Sequence, residues 1–234
     1  MYGITYNNKH SFNDLGLTVL NTRLIQTPSK VKVSQTIPFM NGSYDFSNLY
    51  GSTCYTDRVL EYEFLIKAND SAGLELKRMD IESWLLTLNE KTPLIDDNLK
   101  DFYYLAECIN TEFEEINNHV GKLKAHFEAY PFKFGKNFEG HDIWDDFNFE
   151  LDIQQEVKFD INSSKKVSIY NIGLVDVIPT IITTNNFKIT KDSITYSIPK
   201  GEIMDHRFIL KKSRNDLVIV GDGVIEFRFR KEVL

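Results

Sequence analysis

The stretch NDSAGLELKRMDIESWLLTLN, residues 69–89, carries the clearest helix signal in this sequence of 234 residues. Asp70 or Ser71 can accept hydrogen bonds from the free N–H groups of a first helical turn. Apolar side chains then recur at helical spacing on one face, which Trp84 widens: Leu74, Ile81, Leu85 and Leu88. The pattern predicts one helix over residues 71–89 that packs on a sheet.

Short runs typical of β-strands flank this helix. On its N-terminal side, Asn7-Asn8 separates two such runs, and asparagine tolerates the positive φ of a tight hairpin turn. On its C-terminal side, residues 102–109, 113–116 and 123–127 read as strands, with residues 117–121 as a hairpin loop. The first half therefore predicts an α+β domain made of a sheet and one main helix.

The second half has almost no helical periodicity. Alternating apolar runs recur around residues 149–153, 157–161, 167–169, 187–189, 194–198 and 208–210. The chain closes with residues 217–220, the turn Gly221-Asp222-Gly223, and residues 224–229, which together predict a hairpin. So many short strands in about 100 residues are typical of a β-sandwich.

A boundary between the halves is indicated at residues 135–140, which contain two glycines and no apolar period. We predict a flexible junction there, because glycine lowers backbone order. The predicted domains are residues 1–134 and residues 135–234. The predicted fold class is mainly β with one main helix.

Composition excludes several classes of protein. Hydrophobic residues make up 42% of the chain, enough to bury a core, so the chain is not disordered. No apolar run approaches the ~20 residues that span a bilayer, and the N-terminus lacks a signal-peptide pattern. Lys+Arg 27 against Asp+Glu 34 gives a net charge of −7, which disfavours stable nucleic-acid binding. Two cysteines suggest reduced thiols in a cytoplasmic product.

A search for catalytic or metal-binding motifs yields no constellation. The sequence has no phosphate-binding glycine loop and no GxSxG, and neither Cys54 nor Cys108 lies in a CxxC or beside a histidine. His119 and His126 could approach each other across the predicted hairpin, although solvated histidines are the simpler interpretation. We therefore predict no enzyme, no metal and no cofactor.

The densest acidic patch, residues 141–146, surrounds Trp144. It could form a cation or sugar site with Trp144 as a stacking surface, or simply a charged loop at the domain junction. The first interpretation supports an alternative function, a carbohydrate-binding module that recognises a host-surface glycan. A lytic enzyme is a third alternative, for which the sequence offers no acid/base pair.

A segment rich in apolar residues is the best candidate for an interaction surface. It carries Ile37, Phe39, Met40, Tyr44 and Phe46 but only one charge, Asp45. Pro38 keeps the segment off a central strand, so these side chains are expected on an edge or projecting loop. Large exposed apolar groups mark partner surfaces. The alternative is that Phe39 and Phe46 fold back into their own core.

Taken in order along the chain, several segments resemble the distal tail protein (Dit) family of siphophages and prophages of Gram-positive bacteria. The similar segments are residues 3–7 and 17–19, 37–47, 55–64, 84–86, 103–106 with 121–132, and 171–173 with 179–181. Each is weakly specific alone, but together they cover nearly the full length.

The resemblance implies an N-terminal belt domain that forms hexameric rings and a C-terminal galectin-like β-sandwich. Such a ring is a structural virion protein at the phage tail tip, made in the bacterial host cytoplasm. It joins the tail tube protein to the tail-associated or tail-tip proteins of the baseplate and leaves a channel for DNA. In this framework Ile37, Phe39, Met40, Tyr44 and Phe46 are the candidate ring interface, with Phe39 and Met40 against the neighbouring subunit.

Overall fold

A computed structural model describes residues 2–49, 51, 53–141, 148–149 and 151–234. The chain divides into two compact units: an N-terminal unit of residues 1–133 with Leu234, and a C-terminal unit of residues 134–233. The described residues form many strands and one helix. The predicted fold class, mainly β with one main helix, is confirmed.

The N-terminal unit is built on one antiparallel sheet and a helix. Its elements are β1 (Ile4–Tyr6), β2 (Lys9–His10), β3 (Thr18–Val19), β4 (Leu24–Ile25), β5 (Ser34–Gln35), β6 (Tyr44–Asp45), β7 (Arg58–Lys67), α1 (Ser71–Leu86), β8 (Thr92–Asp96), β9 (Phe102–Asn117) and β10 (Val120–Gly135). The sheet order is β2-β1-β8-β9-β10-β7-β3, with β4 also on β7. Among the described strands, β5 and β6 pair only with each other.

Helix α1 covers one face of this sheet, as predicted. The Asp70 side chain caps it by accepting a 2.7 Å hydrogen bond from the Gly73 N–H. Leu74, Ile81, Trp84 and Leu85 are buried on the helix, and the Trp84 indole donates to the Tyr6 carbonyl at 2.8 Å. The predicted end at residue 89 is three residues too late, because Thr87 ends the helix.

The predicted turn at Asn7-Asn8 is confirmed, with φ of 45° and 57° between β1 and β2. The runs predicted around residues 102–127 merge instead into two 16-residue strands, β9 and β10. The apolar alternation breaks near Asn110, yet the strand continues. Backbone hydrogen bonds to a neighbouring strand keep the chain extended regardless of which side chains it carries. The break in apolar alternation therefore does not end the strand.

The C-terminal unit is a β-sandwich of two four-stranded sheets. Its strands are β11 (Lys158–Ile161), β12 (Ser164–Asn171), β13 (Thr180–Thr183), β14 (Phe187–Lys191), β15 (Ile194–Ile198), β16 (Gly201–Met204), β17 (Ser213–Val220), β18 (Gly223–Arg228) and a short β19 (Glu232–Val233). The sheet orders are β11-β18-β13-β16 and β12-β17-β14-β15. Side chains from both sheets share one core, including Phe159, Ile169, Ile189, Ile219 and Phe227.

Two predictions for the sandwich are wrong. The hairpin predicted from residues 217–229 does not form: β17 and β18 lie in different sheets, and the turn around Gly221 crosses between them. Four such crossing turns meet at one end, where the Gly221 N–H donates to Ser163 O and the Asn185 amide donates to Asp222 O. Phe149 and Leu151, predicted in a strand, lie in turns and are exposed, and the Leu151 N–H donates to Asn148 O within such a turn.

The segment predicted as a flexible junction is held by the end of the chain. The Glu139 N–H donates to Phe229 O at 2.9 Å, and the Arg230 guanidinium donates to Gly135 O at 2.9 Å and lies 4.0 Å from the Phe138 ring centroid. Gly135 therefore lies at the end of β10, and the predicted junction is hydrogen-bonded to residues 229–231.

We propose that the two units are independent domains, with a boundary near residue 134. Each has its own apolar core, which is the requirement for folding alone. A fragment of residues 134–234 is expected to unfold in one cooperative urea transition, followed by circular dichroism. A fragment without a cooperative transition contradicts the proposal.

Glu139 makes stability depend on pH. Burial raises the pKa of its carboxyl to about 7, and the nearby Asp152 adds to the rise while Lys231 opposes it. The folded state therefore binds this proton more tightly than the unfolded chain does. The stabilisation is fully present below pH ~4.5 and is lost as the pH rises through about 7.

Glu139→Gln is accordingly expected to raise the free energy of unfolding by up to ~3 kcal/mol at pH 8, with the gain vanishing towards pH 4. Urea titrations of both proteins at pH 4, 6 and 8 measure this difference. Glu156→Gln, at an exposed carboxyl, is the matched control and should show no such trend. If the gain in the free energy of unfolding is the same at all three pH values, the pH dependence does not arise from the Glu139 carboxyl.

Candidate functional site

The predicted interaction segment forms a hairpin that projects from the sheet of the N-terminal unit. We call residues 31–49 the apolar hairpin. Its base is closed by the Val31 N–H donating to Cys54 O at 2.9 Å, and its arms pair through β5 and β6. Lys32 and Asp45 form an ion pair of 2.6 Å across the arms. The hairpin is thus held by its own bonds and not by a core.

The tip of the apolar hairpin is a turn that presents Phe39. The Met40 N–H donates to Ile37 O at 3.1 Å, and Phe39 has a φ of 67°, a left-handed conformation that bulky residues rarely adopt. Its side chain is fully exposed. A large aromatic residue held in a strained turn without any contact to the core is suited to meeting another molecule.

The candidate residues do not fold back into a core. Ile37, Tyr44 and Phe46 are exposed, and Met40 is half-buried. The Tyr44 and Phe46 rings lie 6.2 Å apart on one face of the hairpin. Val33 and Leu49 are exposed beside them. The structure thus brings the predicted residues together on one projecting element, and their role as an interface stays a prediction.

A buried carboxylate supports the sheet. Asp96 ends β8 with 2% of its surface exposed, and Oδ2 accepts from Arg23 Nη1 at 2.7 Å, Tyr62 OH at 3.0 Å and Tyr2 OH at 3.1 Å. Burial and the Asp96 charge raise the pKa of the Tyr62 phenol well above its usual value and that of Tyr2 to about 12. Both phenols therefore stay neutral donors, and the cluster is structural.

The neighbouring His10–Asp97 pair lacks the geometry of a catalytic base. His10 Nδ1 accepts from the N–H groups of Phe12 and Asn13, so the Nε2–H donates to Asp97 Oδ2 at 3.1 Å. Asp97 also accepts from the Gly3 N–H at 3.0 Å. Because both imidazole nitrogens are engaged, the pair anchors the N-terminus on the loop after β8.

The structure separates His119 and His126, the two histidines of the predicted hairpin. His119 lies in the turn before β10, and His126 lies about 20 Å along that strand, opposite Glu61. His126 Nδ1 is 3.2 Å from Glu61, and Nε2 is 3.4 Å from Glu112. Among the described residues, no group of three or more histidine, cysteine or acidic side chains could hold a metal ion.

The cysteines offer no reactive thiol pair. Cys54 is exposed and Cys108 is buried, and both are free. Burial raises the pKa of the Cys108 thiol to about 12, which keeps it protonated. Trp144, on which the sugar-binding alternative depended, lies outside the described residues.

One apolar surface escaped the sequence analysis. The solvent side of α1 carries Leu76, Met79 and Leu86, all exposed. Glu75, Lys77, Arg78 and Glu82 lie beside and between them in the sequence and mask this row of apolar residues. The signal in the sequence was the spacing of the three apolar residues, which follow one another at intervals of three and seven positions, both typical of one helix face. Within the described chain, no helix has both the length and the apolar character needed to cross a bilayer.

Comparison with known proteins agrees with the fold. A family model described as "phage tail protein RIFT-related domain" matches residues 10–129, which contain both apolar surfaces. Among solved structures, the chain is similar to the Dit protein of phage SPP1, with a TM-score of 0.69 and 14% identity over 100% of both chains. That protein is described as a paradigm of the hub adsorption apparatus in phages that infect Gram-positive bacteria. A search of curated protein sequences found no match.

The family model covers half of the chain, and the fold of a Dit protein extends over all of it. The family and the fold are both those of structural phage tail proteins, which confirms the resemblance seen in the sequence. The chain belongs to the phage tail protein family that this RIFT-related domain defines.

Proposed function

We propose that this protein is the distal tail hub of a siphophage or prophage, a hexameric ring without enzymatic activity. The ring joins the tail tube to the tail-tip or baseplate proteins, and its site of action is the tail tip of the virion after synthesis in the host cytoplasm. The similarity to the SPP1 Dit protein over the full length of both chains supports this role.

The observation that carries the proposal is the apolar hairpin. A monomeric protein rarely leaves so many large apolar side chains together in water, and aromatic residues and methionine are enriched in interface cores. In a ring each copy meets its neighbour through two different patches, and rotation closes the assembly without exposed ends. A projecting hairpin on the family domain is suited to be one of those patches.

Charge is compatible with a DNA channel. Six copies at −7 carry −42, so the ring as a whole repels the DNA that passes through it. A strongly basic protein would instead release counterions and hold the nucleic acid. We therefore propose passage without stable binding.

Imaging tests the proposal directly. Concentrated protein in negative stain is expected to show sixfold rings, with a mass near six copies of the 27.2-kDa chain, about 163 kDa. Gold-labelled antibody is expected at the distal end of tails of the phage that encodes the chain. Label along the tube or on the capsid, or rings of another symmetry, would contradict the corresponding part of the proposal.

A further inference from the structure

Helix α1 has two apolar faces, and only one of them packs on the sheet. The second face consists of residues at alternating spacings of four and three, a period that keeps them in one line along a helix. We call it the outer stripe: Ala72, Leu76, Met79, Ser83 and Leu86, all exposed. It lies opposite the buried face that contains Leu74, Ile81 and Leu85.

The outer stripe is unusual for a helix on a protein surface. Such helices normally carry charged residues away from the core. Here Leu76 and Met79 are 64% and 60% exposed, while the ion pairs of Arg78 with Glu75 (3.4 Å) and Glu82 (2.9 Å) run along one edge. Other exposed apolar residues of the sheet, such as Ile109 and Ile116, stand singly and need no special explanation.

We infer that the outer stripe of one copy receives the apolar hairpin of the neighbouring copy in the ring, an inference that rests on the proposed function. Phe39 and Met40 at the hairpin tip pack against Leu76 and Met79. A heterologous ring contact requires two different complementary patches, and the family domain presents these two. Both are exposed in the single chain, so neither is covered by its own copy.

Charge does not oppose this contact. The hairpin tip, residues 36–43, carries no charged side chain, and neither do the five residues of the outer stripe. The two charged residues of the hairpin, Lys32 and Asp45, already pair with each other. Docking of tip on stripe therefore buries apolar surface without burying an unpaired charge, whereas a charged partner would find no counter-charge on the tip or the stripe.

The size of the surfaces suits a subunit contact. A fully exposed Phe39 alone offers about 200 Å² of surface, and a stable interface buries ~800 Å² on each partner. The hairpin adds Val33, Ile37, Tyr44, Phe46 and Leu49 around it. A projecting aromatic tip against a row of leucine and methionine side chains gives an apolar core with a polar rim.

Photo-cross-linking maps the receiving surface without assuming where it lies. The photoreactive analogue benzoylphenylalanine replaces Phe39 in the full chain, and this protein is mixed with isotopically heavy wild type at ring-forming concentration. After irradiation, mixed light–heavy cross-linked peptides are expected to come mainly from residues 71–87. The same analogue at Ile194, an exposed apolar residue of the C-terminal unit, is the control and should not label the helix.

Substitution of the stripe gives a second readout. Leu76→Gln with Met79→Gln is expected to lower ring formation at least tenfold at fixed concentration while the melting temperature stays unchanged. Ile109→Gln with Ile116→Gln removes the same class of exposed side chain from β9 and is expected to leave rings intact. Circular dichroism confirms that each variant is folded.

The outcomes separate the inference from the proposed function. Rings with cross-links outside residues 71–87, or rings that survive the stripe substitutions, overturn the inference and leave the hub proposal standing. Absence of intermolecular cross-links overturns the inference whether or not rings form. Failure of the wild type to form rings or to locate at the tail tip counts against the proposed function itself.

Discussion

Replacing Phe39 and Met40 together with serine is expected to abolish ring formation while the melting temperature of the monomer stays nearly unchanged. The Phe39 side chain contacts no core, so its removal costs the monomer little. In a ring, the loss of an aromatic anchor costs about 2–4 kcal/mol at each contact, which weakens each one at least ~30-fold. Negative-stain imaging and solution mass measure the rings, and calorimetry measures the melting temperature.

The control removes two exposed apolar residues from the other unit, Ile194→Ser with Met204→Ser. Rings should persist in that variant. If the Phe39/Met40 variant still closes rings, the interface lies elsewhere. If instead its monomer unfolds, these side chains belong to the intramolecular core.

Asp96→Ala is expected to destabilise the N-terminal unit by about 3–5 kcal/mol, because it leaves buried partners of a carboxylate without an acceptor. Tyr62 is fully buried and its hydroxyl donates to Asp96 Oδ2 at 3.0 Å, and Arg23 loses its 2.7 Å ion pair with the same carboxylate. Urea unfolding followed by Trp84 fluorescence, with Trp144 replaced by phenylalanine in every variant, measures the change.

The next residue provides the control. Asp97 is partly exposed and holds His10 and the Gly3 N–H, so Asp97→Ala is expected to cost about 1–2 kcal/mol. If the two variants lose the same free energy of unfolding, the buried hydrogen bonds of Asp96 stabilise the unit no more than the partly exposed ones of Asp97, which contradicts the prediction. The ring is expected to form in neither variant under conditions where the unit unfolds, and in both where it stays folded.

Local signals were sufficient where a single element determines its own conformation. Asp70 and the spacing of Leu74, Ile81 and Leu85 predicted α1, because a cap and a buried face act within one helix. Asn7-Asn8 predicted a turn because few residues accept a positive φ. The alternation of the second half predicted a sandwich, since strands with one buried face need a second layer.

These local signals did not predict which strands pair with each other. Alternation shows that Leu217, Ile219, Ile225 and Phe227 point inward, but it holds equally for strands of one sheet and of two facing sheets. The Gly221-Asp222-Gly223 turn accommodates either path, so the sheet assignment depends on the distant strands β12 and β14 that pair with β17. The extension of β9 past Asn110 likewise depends on its backbone pairing with the neighbouring strand β10.

The candidate site shows the same division. Its residues were predicted from the sequence, since a proline, five large apolar side chains and one charge stand out in an acidic chain. Whether those side chains lie in a core or in water depends on long-range packing, and only the tertiary structure leaves Phe39 in solvent. The outer stripe shows the same limit: the spacing of Leu76 and Met79 reveals a second apolar row on the helix, but only the tertiary structure leaves that row in solvent, because its cover depends on long-range packing.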